Sequence, residues 1–136
     1  MNQSPKNTQN NPIFLDANVL IEVILARRQA PAARAFLAEN SSNLHISALS
    51  AHLIVHFGKS IVELPVLRKF LADYTILPLM DADFDWAFNN IRGDDYEDAL
   101  QLAVAIRSGC YKFITLDKNL AKIYQDLPSI SVKLLN

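Results

Sequence analysis

Three acidic points in this chain stand where chemistry could be done. Asp16 closes the apolar run Ile13-Phe14-Leu15, with the amide of Asn18 two residues on; Asp94-Asp95-Tyr96-Glu97-Asp98 opens a second apolar stretch; and Phe113-Ile114-Thr115-Leu116 ends on Asp117. A carboxylate at the carboxyl end of a strand sits where open α/β sheets place their reacting groups. Each acid also has a plainer reading. Asp16 and Asp117 suit helix N-caps, and acids in a first turn complement the helix dipole. What favours chemistry is the coincidence of the three. If parallel crossovers bring them to one sheet edge, they repel one another unless a cation sits among them. A hard divalent ion with oxygen ligands fits, and such an ion can activate water and stabilise the charge that builds on a phosphodiester.

The elements that must position these acids alternate along the chain. The apolar spacing and the punctuation predict a strand over Ile13–Asp16, a helix over Ala17–Arg28 and a helix from Pro31 to Glu39, where Pro31 suits a first turn. A strand Leu44–Ser47, a helix Ala48–Lys59 and a helix Pro65–Asp73 follow, then a strand Tyr74–Leu77. Asp81 is the expected N-cap of a helix Ala82–Ile91. A helix Tyr96–Ser108 stopped by Gly109, a strand Lys112–Leu116, a helix Lys118–Tyr124 and a strand Ser131–Leu135 complete the order. Strands separated by helices imply right-handed crossovers. The expected fold class is therefore α/β, a three-layer sandwich around a mostly parallel sheet of four to five strands.

Length and composition bound the rest. A chain of 136 residues, 51% hydrophobic and 20% charged, suits one domain over residues 12–136, with the polar residues 1–11 as a disordered tail. Neither a signal peptide nor a run of about 20 apolar residues is visible, so a cytoplasmic protein with no membrane role is expected. The lone Cys110 excludes an internal disulfide and reads as a small buried hydrophobe. A net charge of -1 gives no global cationic field for nucleic acid, so such a partner must be held locally.

Together the Ile13–Glu22 opening, Ile46-Ser47-Ala48-Leu49-Ser50, Tyr96-Glu97-Asp98-Ala99-Leu100 and Phe113-Ile114-Thr115-Leu116-Asp117 resemble a PIN domain over about residues 12–135. The resemblance implies a metal-dependent ribonuclease, often the toxin of a VapBC-type toxin–antitoxin pair, with acids gathered around Mg²⁺ or Mn²⁺. It implies RNA as substrate, a small antitoxin protein as partner, and a homodimer. Carried over by position, Asp16, Asp98 and Asp117 are the catalytic and metal-binding acids, Glu97 a further ligand or outer-sphere acid, and Asn18 and Thr115 polar supports. Asp95 supports the site or simply caps the helix. The departure lies after strand two, where the family usually carries a glutamate and this chain has His52 and Leu53. A catalytically degenerate PIN domain that binds RNA or protein is therefore the alternative. An unrelated phosphotransfer or hydrolase domain with Asp16 as nucleophile lacks support, because neither a Gly-rich phosphate loop nor a Gly-x-Ser-x-Gly elbow is present.

Other signals are weaker. His52 and His56 have the i, i+4 spacing of a zinc pair, but the glutamate of the zincin pattern is replaced by Leu53. Phe84, Trp86 and Phe88 suit a core or dimer contact better than base stacking. Arg27, Arg28 and Arg34 follow or lie within the early helices and suit either phosphate contacts or a solvated surface.

Overall fold

The computed structural model describes residues 11–136, so the polar opening falls outside the described residues except for Asn11. Twelve elements follow in order: β1 Ile13–Leu15, α1 Ala17–Ile24, α2 Ala30–Glu39, β2 Leu44–Ser47, α3 Ala48–Gly58, α4 Leu64–Leu71, β3 Thr75–Leu77, α5 Asp81–Asn90, α6 Tyr96–Arg107, β4 Lys112–Thr115, α7 Lys118–Ile123 and β5 Ser131–Leu134. All five strands pair in parallel in the order β3-β2-β1-β4-β5. The expected α/β three-layer sandwich is thus formed, with the full five strands.

The alternation of side chains along each strand builds the layers, since successive residues face opposite sides of a sheet. Phe14 and Phe113, partners in the β1–β4 register, point to one face and stack with ring centroids 5.3 Å apart. There they join Leu102, Ala105, Leu120, Tyr124 and Val132 in one buried cluster under α6 and α7. Their sequence neighbours Ile13, Leu15 and Ile114 point the other way, into a second cluster with Leu20, Ala33, Ile46 and Ile54 under α1, α2 and α3. Central strand β1 is buried on both faces, which is why it reads as an unbroken apolar run rather than an alternating one.

The strand order carries the functional consequence. From β1 the chain winds outward through β2 and β3, then crosses back to place β4 on the other side of β1. The crevice beyond the carboxyl ends of β1 and β4 is a topological switch point, where open α/β sheets bind ligands. Asp16 follows β1 directly, and Asp117 stands two residues past the end of β4.

Several local features refine or correct the sequence reading. Helix α1 ends at Ile24, earlier than expected, because Ala26 adopts φ 51° and turns the chain. A non-glycine residue in that left-handed region costs about 1 kcal/mol. Pro31 does sit in the first turn of α2, and Gly109, at φ 79°, follows α6 as expected. Asp81 is not the cap of α5. The helix begins at Asp81, and Asp83 reaches back to accept from the backbone N–H of Met80 at 2.8 Å. Asp83 is buried and paired through both carboxylate oxygens with Arg107, at 2.7 and 3.0 Å, so α5 is latched onto α6. Cys110 is buried just before β4, and burial pushes its thiol up to about 11.

Candidate active site

At the switch point, a hydroxyl and an amide organise the first carboxylate. Asp16 is 7% exposed and its backbone N–H donates to Ile114 O at 2.9 Å, fixing the end of β1 against β4. Although Asp16 precedes α1, its carboxylate does not cap the helix. Instead its Oδ2 accepts from Thr115 Oγ1 at 2.8 Å and from Asn18 Nδ2 at 3.1 Å. Asn18 Nδ2 also lies 3.2 Å from Thr115 Oγ1, and its Oδ1 accepts from Leu116 N–H at 3.1 Å. Thr115 Oγ1 in turn accepts from Asp117 N–H at 3.0 Å. Residues nearly one hundred positions apart are thus tied into one polar network. Asn18 and Thr115 hold the positions of supports anticipated from the sequence.

The other acids arrive from two helix starts. Asp117 does cap: its Oδ1 accepts from Asn119 and Leu120 N–H at 2.9 and 3.2 Å, while Oδ2 makes no hydrogen bond among the described residues. Asp95 caps α6 by accepting from Asp98 N–H at 3.2 Å, the plainer of its two expected roles. That cap aims Glu97 and Asp98 toward the switch point. Asp16, Asp95, Glu97, Asp98 and Asp117 line one cleft of about 530 Å³, with Asn18, Glu22, Arg27, Gln29, Leu53 and Phe57 completing much of its wall.

Electrostatics report how closely these carboxylates feel one another. Burial pushes Asp16 up from 3.8 to about 6, opposed by the Thr115 hydrogen bond and reinforced by the charges of Asp117 and Glu97. Asp98 rises to about 7, first through burial and then through repulsion by Asp16, Asp95, Asp117 and Glu97. Glu97 is raised as well, by burial and by Asp95. A pair of acids whose protons leave near neutral pH, crowded by further acids, is a site short of positive charge. Among the described residues no three His, Cys, Asp or Glu side chains close on a single point as a finished metal cage. Carboxylates spread around one cleft fit instead a hard cation that keeps several waters and completes its oxygen shell with them and with substrate phosphate oxygens.

Other anticipated signals resolve differently. His52 and His56 stack at 6.0 Å on the exposed side of α3 and have no third ligand among the described residues. Trp86 packs against the core as expected, while Phe84 and Phe88 remain exposed beside Tyr96. Sequence reasoning missed the buried Gln101, whose amide spans Ser47 Oγ at 2.7 Å and Ser50 Oγ at 2.8 Å and locks α6 against the end of β2. A glutamine in an otherwise apolar helix stretch, Leu100-Gln101-Leu102, was the available signal. It also missed Glu22 and Gln29, cleft residues drawn in by a turn that no glycine announces.

Residues 13–126 match the family model of the PIN domain. Three solved structures share the fold. One is a toxin-antitoxin complex from Klebsiella pneumoniae, with a TM-score of 0.69 at 19% identity over 87% of this chain and 94% of that one. Another is DNA-bound VapBC from Salmonella typhimurium, with 0.65 at 16% identity over 90% and 97%. The third is VapBC2 from Rickettsia felis bound to a promoter DNA fragment, with 0.63 at 16% identity over 91% and 98%. No curated protein shows a significant sequence match.

Proposed function

The chain belongs to the PIN domain family, and from that premise we propose that it is a divalent-metal-dependent endoribonuclease, the toxin of a toxin–antitoxin pair. The observation that carries the reading is the gathering of Asp16, Glu97, Asp98 and Asp117, from three distant segments, around one cleft in which two of them are forced toward neutral pH. Asp16, Asp98 and Asp117 are the residues proposed to hold Mg²⁺ or Mn²⁺, with Glu97 beside them. When bound, such an ion supplies Lewis-acid stabilisation of the negative charge that builds on a phosphodiester during hydrolysis. The chain's own residues do the positioning. Thr115 and Asn18 fix the Asp16 carboxylate by donating to it, and Thr115 also anchors the backbone of Asp117, so two of the acids are oriented by one hydroxyl. Asp95 sets the height of Asp98 by capping the turn that carries it.

RNA is the proposed substrate and a small antitoxin the proposed partner, supported by the likeness in fold to toxin–antitoxin proteins. Homodimer formation and a cytoplasmic location belong to the same reading; no helix among the described residues is long and apolar enough to cross a membrane. One observation favours a second reading: Leu53, at one of the two positions considered for the absent glutamate, lines the cleft with Phe57, so that wall offers no ligand. In that reading the domain binds RNA or protein without cutting.

The test is incubation of purified protein with mixed RNA and Mn²⁺ or Mg²⁺, with and without chelator, beside Asp98→Asn. Cleavage that needs the metal and Asp98 is expected; equal cleavage by the variant counts against the assignment. Stabilisation by Mn²⁺ without cleavage supports the binding module instead.

A further inference from the structure

Among the described residues lining the acidic cleft, one is basic. Arg27 borders the same space as Asp16, Glu22, Asp95, Glu97, Asp98 and Asp117, is exposed at its rim, and makes no side-chain hydrogen bond or ion pair among the described residues. An arginine surrounded by carboxylates ordinarily pairs with one. The turn that carries it fixes its backbone at the rim. Ala26, at φ 51°, reverses the chain straight after α1. Arg27 N–H donates to Glu22 O at 3.0 Å and Arg27 O accepts from Ala30 N–H at 3.0 Å, so the backbone is pinned on both sides. Glu22, the cleft acid on the helix just before this turn, is engaged by the backbone N–H of Gln29 at 2.8 Å. Backbone strain at a non-glycine residue persists where the surroundings over-determine it, and it gathers at working sites.

We propose that Arg27 is the phosphate-holding residue of this cleft, gripping the backbone of a single-stranded RNA beside the bond to be cut. This rests on the ribonuclease reading for the cut itself, and on the geometry of the turn for the grip. The cleft needs such a group. Six carboxylates repel a polyanion, and the whole molecule, at a net charge of -1, offers no field to offset them. A guanidinium held at the rim matches two phosphate oxygens at once, which a lysine ammonium does not. Arg28, next in the chain and also exposed, does not line the cleft.

The test measures binding and cutting separately. Anisotropy of a labelled single-stranded RNA oligonucleotide in Ca²⁺ compares wild type, Arg27→Ala, Arg27→Lys and Arg28→Ala. Arg27→Ala is expected to weaken binding about tenfold and to reduce the salt slope by about 0.7; Arg27→Lys recovers part of the loss, and Arg28→Ala changes binding less than about twofold. In Mn²⁺, Arg27→Ala raises KM by a similar factor while the Mn²⁺-induced rise in Tm is unchanged. Equal losses in Arg27→Ala and Arg28→Ala, or none in either, overturn the proposal. Arg27-dependent binding by a protein that never cuts sinks the ribonuclease reading and leaves the grip standing. Normal binding and cutting by Arg27→Ala does the reverse, and a wild type that binds no RNA overturns both.

Discussion

Replacing Asp16 by asparagine should make the metal-free protein more stable. Holding the buried Asp16 carboxyl at about 6 instead of 3.8 means that its ionised form burdens the folded state. At 1.36 kcal/mol for each tenfold in proton affinity, the ceiling on that burden is about 3 kcal/mol. Asparagine keeps the shape, and its carbonyl can still accept from Thr115, but one acceptor oxygen is lost, so a net gain of about 2 kcal/mol is expected. The sign follows from linkage. The folded carboxyl takes up its proton at higher pH than the unfolded one, so the wild type gains stability as pH falls from about 7 to about 4, and the variant's advantage fades over the same window. Thermal melts in chelator at pH 8 should place Asp16→Asn about 5–10 °C above wild type, with the gap nearly closed at pH 4.5. Saturating Mn²⁺ should reverse the order by stabilising the wild type more. A variant no more stable than wild type at pH 8, or a gap that survives at pH 4.5, would refute the reasoning.

Metal uptake should release protons, most strongly near pH 6, where Asp16 and Asp98 are partly protonated; calorimetry of Mn²⁺ binding in buffers of different ionisation enthalpy reads this directly, and a proton count of zero is the contrary result. Thr115→Val removes the hydrogen bond that opposes the rise at Asp16, so Mn²⁺ stabilisation should require higher pH than in wild type, as followed by Tm against pH. Arg107→Met strands the buried Asp83 charge and should cost about 3 kcal/mol in urea denaturation. Gln101→Leu leaves two buried seryl hydroxyls short of their partner and should cost about 2 kcal/mol, part of it recovered by adding Ser50→Ala.

Much of the architecture was legible because the two periodicities of the chain are clean. The run Ile13-Phe14-Leu15 and the run Phe113-Ile114 are apolar on successive residues, as strands buried on both faces must be, and the helices between them announce parallel crossovers. The strand-end acids were legible for the same reason. What the sequence did not carry was geometry fixed by tertiary contacts. Whether Asp16 caps or faces the cleft depends on Thr115, ninety-nine residues away, and no local pattern encodes that choice. Ala26 gives no sign of its left-handed turn, since alanine favours helix, so the sequence predicts a helix four residues longer than α1 and has no means to separate Arg27, which lines the cleft, from Arg28 and Arg34. Asp81 looked like the cap because it stands first, whereas Asp83 wins by pairing with Arg107 from another helix.

The central position of β1 has a consequence in time. Its neighbour β4 is made about one hundred residues later, which at ribosomal speeds is roughly 5–20 s of synthesis. Until then Asp16 has neither Thr115 to orient it nor Asp117 to crowd it, and one border of β1 stands open. The acidic cleft is therefore incomplete through most of the chain's manufacture. Its two strand-end acids share one border only once β4 docks beside β1.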